Sequence, residues 1–146
     1  MSSMFKISEA GAIALHAAAY MAACHNSLCP ASEMTQALSV SEAHLVKVLQ
    51  RLTRAGLVEP ARGRHGGYRL LKPPAKITLR DVFEAIEGRL TVDACLFRQQ
   101  VCDGPQCILH GLIKNINTQA MDYFNKTTLD GLTRKGKHSG KRHRRQ

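Results

Sequence analysis

The sequence predicts a mainly α-helical fold with a small β-hairpin, namely a winged helix-turn-helix followed by a long C-terminal dimerisation helix. Three observations lead there. Apolar residues recur at three- and four-residue steps in successive N-terminal segments, the mark of helices with one buried face. Directly after the third such segment, two short extended stretches flank a Gly-rich loop, as a hairpin requires. Positive charge is also concentrated. The chain carries a formal net charge of +10, but Lys47 to Arg80 alone holds 9 bases and 1 acid.

The first helix is expected over 7–23, with Ile7, Ala10, Ala14, Ala17 and Met21 on its buried face and Ile13 and Tyr20 widening it. Cys24 to Pro30 reads as a loop, because proline limits any continuation of the helix. A short second helix is expected over 31–38, then a turn at Leu38-Ser39-Val40-Ser41. Ser41 suits the N-cap of a third helix over 42–55, and Leu45, Val48, Leu49 and Leu52 form its buried stripe. Gly56 stands where a left-handed C-terminal cap belongs. Leu57-Val58-Glu59 and Tyr68-Arg69-Leu70-Leu71 are the strands, and Pro73-Pro74 closes the unit. Thr78 can cap a fourth helix over 79–87, with Asp81 in its first turn and Gly88 after its end. A cysteine-bearing loop follows over 90–106, then a long helix over 106–126 with Ile108, Leu112, Ile116, Ala120 and Phe124 spaced by four. A helix this apolar at the end of a small domain needs a partner surface, and a second copy of itself is the economical one. The expected organisation is a DNA-binding domain over 1–75, a cysteine loop and dimerisation helix over 76–132, and a disordered basic tail over 133–146.

Composition bounds the function. With no Trp, 3 Tyr and 4 Phe in 146 residues, the core must be mainly aliphatic. No apolar run approaches the ~20 residues that span a bilayer, so no membrane partner is expected. The N-terminus has no charged region followed by an apolar stretch, which points to the cytoplasm. No Gly-rich phosphate loop precedes a helix and no nucleophile–base constellation is evident, so an enzyme is not expected. The basic tail accounts for most of the net charge, whereas the basic stretch within the folded part suits a phosphate-facing surface.

The third helix is narrow enough for the major groove of double-stranded DNA. Ser39, Ser41, Glu42, Ala43, His44 and Lys47 are placed to approach base edges, and Arg51 and Arg54 to reach phosphates. In the hairpin loop, Gly63 and Gly66 let the backbone come close to DNA, while Arg62 and Arg64, with His65 between the glycines, can clamp phosphates or enter a minor groove. A Gly-Gly loop taken alone is usually a turn and an Arg on a helix is usually solvated; their combination with the charge map carries the reading.

Of the 5 cysteines, Cys95, Cys102 and Cys107 share one loop, with gaps of six and four residues. An odd number in a chain expected in the cytoplasm argues against a disulfide framework. Spacing alone leaves three readings open: an iron–sulfur cluster, zinc, or inert or redox thiols. No C-x-x-C pair is present, which weakens a zinc ribbon. Cys24 and Cys29 read as ordinary thiols, with a reversible disulfide as the lesser alternative.

These residues resemble a known family. Ser41-x3-Leu45-x2-Val48-Leu49-x2-Leu52, Ala55-Gly56-Leu57-Val58, Arg62-Gly63-Arg64-His65-Gly66-Gly67-Tyr68-Arg69-Leu70 and Pro73-Pro74-x2-Ile77-Thr78-Leu79-x2-Val82 are similar to the IscR/NsrR/RirA-type winged-helix regulators of bacteria. The resemblance covers about residues 4–132. His65 departs from it, at a position that is often Gly, and the first cysteine gap is six residues where five is commoner. The resemblance implies a homodimeric transcription regulator, most simply a repressor, sensing iron, redox state or nitric oxide through an iron–sulfur cluster on Cys95, Cys102 and Cys107, [2Fe–2S] rather than [4Fe–4S]. His110, three residues after Cys107, is the first choice for the fourth ligand by that resemblance, and Glu9, offered to the opposite subunit, the second. A cluster-free thiol or partner-controlled regulator is the alternative on the same fold. An iron–sulfur electron-transfer or cluster-assembly protein is the alternative of another class.

Overall fold

Ser8 sets the start of the central helix: its side chain accepts a hydrogen bond from the Gly11 amide at 3.0 Å, with Glu9 favouring the positive end of the helix dipole. In the computed structural model, which describes residues 6–24, 27–92, 95, 97, 99, 101–102, 104–109 and 111–136, this helix, α1, spans Glu9–Ala23. Its small buried residues Gly11, Ala14, Ala17, Ala18 and Ala22 let other elements approach on several sides. It packs against most of the other helices, and against the second strand of the hairpin as well.

Helix α2 spans Ala31–Leu38 and ends at Ser39, whose left-handed backbone (φ 54°) turns the chain toward the next helix. Helix α3 spans Glu42–Arg54. Ser41 caps it, accepting from the His44 amide at 3.3 Å, and Leu45, Val48, Leu49 and Leu52 are its buried stripe, as the periodicity predicts. Gly56 has φ 71°, the left-handed turn expected at that point. Strands β1 (Val58–Ala61) and β2 (Gly67–Leu70) pair antiparallel, with Val58 opposite Leu70 and Ala61 opposite Gly67. Cys29 adds an isolated antiparallel bridge to Tyr68, which moors the hairpin to the segment entering α2.

After a 3-10 turn at Pro74–Lys76, helix α4 spans Leu79–Glu87 within the expected bounds. Thr78 and Asp81 form a reciprocal capping box at its start. Ile13, Met34, Leu45, Leu49, Leu52, Val58, Ile77, Val82 and Leu129 belong to one continuous aliphatic core. No helix among the described residues is long and apolar enough to cross a membrane.

The C-terminal part departs from the expectation in two ways. The long helix begins six residues late: α5 spans Leu112–Lys126, preceded by a 3-10 turn at Gly104–Gln106. Gly111 has φ 76°, a left-handed conformation that does not propagate a helix. The chain also does not run straight into a disordered tail. Helix α6 spans Leu129–Gly136 and crosses the expected boundary at 132, because Leu129 is fully buried and its amide donates to the Ile77 carbonyl at 2.9 Å. The rest of the basic tail lies outside the described residues. Phe124, at the C-terminal end of α5, meets Phe83 of α4 edge to face at 5.2 Å.

Candidate nucleic-acid interface

The buried stripe of α3 fixes what the helix shows to solvent. With 3.6 residues per turn, Ala43, Lys47, Gln50 and Arg54 fall opposite Leu45, Val48, Leu49 and Leu52, and all four are exposed. The hairpin stands beside this face as a wing. Between them runs a groove of about 530 Å³ lined by Gln50, Thr53, Arg54, Pro60, Ala61, Arg62, Gly67 and Tyr68. Arg62, Gly63, Arg64 and His65 are exposed at the wing loop, and Gly66 lies half-buried at its base.

The charge is partitioned by local pairing. Arg69 forms a cross-strand ion pair with Glu59, the residue directly opposite it. Arg80 pairs with Glu84 at 2.8 Å and also donates to the Asn125 side chain at 3.2 Å. Lys47, Arg54, Arg62 and Arg64 make no ion pair among the described residues. These four uncompensated cations lie along α3 and the wing, where a polyanion would meet them.

Other expected contact residues have local duties. The Ser41 hydroxyl is engaged by the His44 amide as the helix cap. Ser39 is exposed at the left-handed turn and Glu42 is exposed in the first turn of α3. Arg51 lies on the flank of α3 that faces α4, and its guanidinium donates to the Ile86 carbonyl in the last turn of that helix. His44 Nδ1 lies 3.8 Å from Glu9 Oε1, across a cleft of about 310 Å³ lined also by Ala10, Ile13, Lys47, Val48 and Arg51. Gln50 and Thr53 were not among the residues expected at the interface. Gln50 sits three residues after Lys47 and four before Arg54, so helical spacing alone places it on the outward face.

Cys95, Cys102 and Cys107 are each half-buried. Cys107 precedes α5, so it lies outside the helix on which a shared face with His110 was expected; His110 itself lies outside the described residues. Among the described residues no group of three His, Cys, Asp or Glu side chains is gathered closely enough to hold a metal ion. Glu9 faces His44 of its own chain.

Comparison with known proteins agrees with this architecture. The family model described as "Rrf2: Iron-dependent Transcriptional regulator" matches residues 7–135. Protein aau3 of Rhizobium meliloti is 37% identical over 118 residues, covering 79% of this chain and 76% of that protein. The HTH-type transcriptional regulator IscR of Pectobacterium atrosepticum is 29% identical over 103 residues, covering 70% of this chain and 63% of its own length. Among solved structures, CymR, the global cysteine regulator of B. subtilis, superposes with a TM-score of 0.78 at 26% identity, covering 90% of this chain and 98% of that one.

Proposed function

The chain belongs to the Rrf2 family of iron-dependent transcriptional regulators, and from that premise we propose that it is a homodimeric, sequence-specific DNA-binding repressor whose operator affinity follows an iron–sulfur cluster on Cys95, Cys102 and Cys107. The observation that carries the DNA-binding half is the groove between α3 and the wing, with Lys47, Arg54, Arg62 and Arg64 uncompensated around it. Lys47 and Gln50 read base edges in the major groove, while Arg54, Arg62 and Arg64 hold phosphates.

For the input half, the donor set fits the group in kind. Three cysteines stand within 13 residues, and thiolates are the preferred ligands of iron–sulfur clusters. Among the described residues they are not gathered around a common point, so the loop would have to draw them together to hold a common ligand. That requirement gives ligation a different free energy in two loop arrangements, which is what a switch needs. When bound, a [2Fe–2S] cluster supplies a linkage that forms and is lost with iron supply, oxidation or nitric oxide. His110, or Glu9 offered by a second copy of the chain, would complete the ligand set. The loop precedes α5 in the chain, so a cluster held on Cys95, Cys102 and Cys107 would couple iron supply to the paired helices and, through them, to the two copies of α3.

The test is purification without oxygen, followed by the visible spectrum and iron and sulfide analysis. The expected result is a coloured protein whose DNA affinity changes on loss of iron and whose Cys102→Ala variant no longer responds. A colourless, iron-free protein that binds DNA identically with and without Cys102 overturns the cluster. A thiol regulator without a cluster is the second reading, supported by the likeness to CymR; it predicts affinity that follows disulfide state and no iron dependence.

A further inference from the structure

Tyr68 is fixed by its backbone at the base of the wing. Its amide donates to the Cys29 carbonyl and its carbonyl accepts from the Cys29 amide, both at 2.9 Å. Across the hairpin it stands opposite Pro60, which has no N–H to offer, so both backbone groups of Tyr68 are left for Cys29. Tyr68 lies two residues before Leu70, on the face of the hairpin that Val58 buries. Its ring accordingly rests against the core while the residue lines the groove toward α3. The phenol oxygen makes no hydrogen bond among the described residues and is not sealed from solvent. Across the groove, the Thr53 hydroxyl is already engaged, donating to the Leu49 carbonyl at 2.8 Å.

The shape of a duplex says what enters that groove. With α3 in the major groove and Arg62 and Arg64 at the adjacent minor groove, a sugar–phosphate strand must pass between them, because one strand divides the two grooves. The opening of about 530 Å³ between α3 and the wing is the space it has. We infer that this groove seats that strand and that the Tyr68 hydroxyl donates a hydrogen bond to a phosphate oxygen within it, which makes Tyr68 a specificity-determining residue that touches no base.

This rests on the DNA-binding reading and adds to it a contact of another character. Arg54, Arg62 and Arg64 attract any polyanion, whatever its sequence. A neutral hydroxyl has no such reach; its bond forms only when the strand is seated within hydrogen-bond distance. Seating to that tolerance accompanies the register in which α3 meets its own bases, whereas on unrelated sequence the attraction is mainly that of charge. Tyr68 therefore strengthens the cognate complex and contributes little to the nonspecific one, so it widens the ratio between them.

The full-length protein and its Tyr68→Phe variant are titrated with three kinds of DNA. These are a duplex that the parent selects from a random-sequence pool, a duplex of scrambled sequence, and copies of the selected duplex with single phosphates replaced by uncharged methylphosphonates. Tyr68→Phe should bind the selected duplex about tenfold more weakly, as expected for losing a hydrogen bond to a charged group. Its affinity for the scrambled duplex should stay within about twofold of the parent, and its salt slope should be unchanged, because no charge is lost. At one methylphosphonate position the penalty should be about tenfold smaller for the variant than for the parent, since the partner of that phosphate is already gone. The ring is retained, so the urea midpoint should match the parent; should it fall, the methylphosphonate comparison decides, because a folding defect does not single out one phosphate. Equal losses on the selected and scrambled duplexes, no loss on either, or identical methylphosphonate penalties in the two proteins overturns the inference. A parent that selects no duplex overturns the DNA-binding reading itself, and the inference with it.

Discussion

A methyl group added at Gly67 would lie 2.7 Å from the Cys29 carbonyl oxygen, and the obstruction is backbone, not the end of a flexible side chain. Gly67→Ala therefore has to push the wing away from the segment that moors it. The expected loss is about 2 kcal/mol of stability, typical of an overpacked site, read as a lower urea midpoint at unchanged slope. Burial alone would raise the Glu84 carboxyl, but hydrogen bonds from Arg80 and from the Leu90 amide, with the charges of Arg80 and Arg89, hold it below the ordinary carboxylate range. A depressed folded-state value means that this stabilisation is present above the unfolded value, about 4.3 for Glu, and is lost as pH falls through the folded one. Glu84→Gln should therefore be less stable than the parent at pH 7, with the difference shrinking below about pH 4 in parallel denaturation curves.

At the scale of elements, the duties of α3 can be separated by experiment. Ser41 caps the helix, so Ser41→Ala should cost about 1 kcal/mol of stability. Arg51 donates to the Ile86 carbonyl, so Arg51→Met should lower stability by about 1 kcal/mol as well, while leaving the salt dependence of DNA binding nearly unchanged. Replacing Arg54, Arg62 or Arg64 by Ala should leave the melt in place and reduce the slope of log K against log salt by about 1 for each phosphate no longer neutralised. Titrations at several salt concentrations alongside thermal melts distinguish the two sets. The core stripe, caps and wing were legible because each rests on local spacing. Leu45, Val48, Leu49 and Leu52 recur at helical steps, Ser41 and Thr78 precede helices, and glycines flank the turn. The duty of Arg51 was not legible, because its partner lies 35 residues away and only packing brings the two together. The ion pair of Arg69 with Glu59 was hidden in the same way until the strand register was known.

At the scale of the molecule, the apolar row of α5 is the feature whose meaning the fold changes. Residues four apart advance by about 40° around a helix at each step, so such a row winds across the surface and does not stay on one face. Phe124 is accordingly buried against α4, whereas Leu112 and Ile116 are 44% and 37% exposed, and Ile108, ahead of the helix, is 84% exposed. The sequence showed one stripe where the structure shows an intramolecular anchor at one end and an uncovered apolar surface at the other. That uncovered end fits pairing with a second copy, which would set two α3 helices about one DNA turn apart, roughly 34 Å, for a two-fold operator. A charge placed there would be desolvated in the dimer yet solvated in the monomer. Leu112→Glu/Ile116→Glu should therefore sediment at half the parent mass while keeping its helical circular dichroism, since neither residue belongs to the buried core. On DNA the variant should protect one half-site in place of two and bind the full operator with weaker affinity. A variant that remains a dimer, or a parent that sediments as a monomer at concentrations where it binds DNA, would remove α5 as the dimer contact.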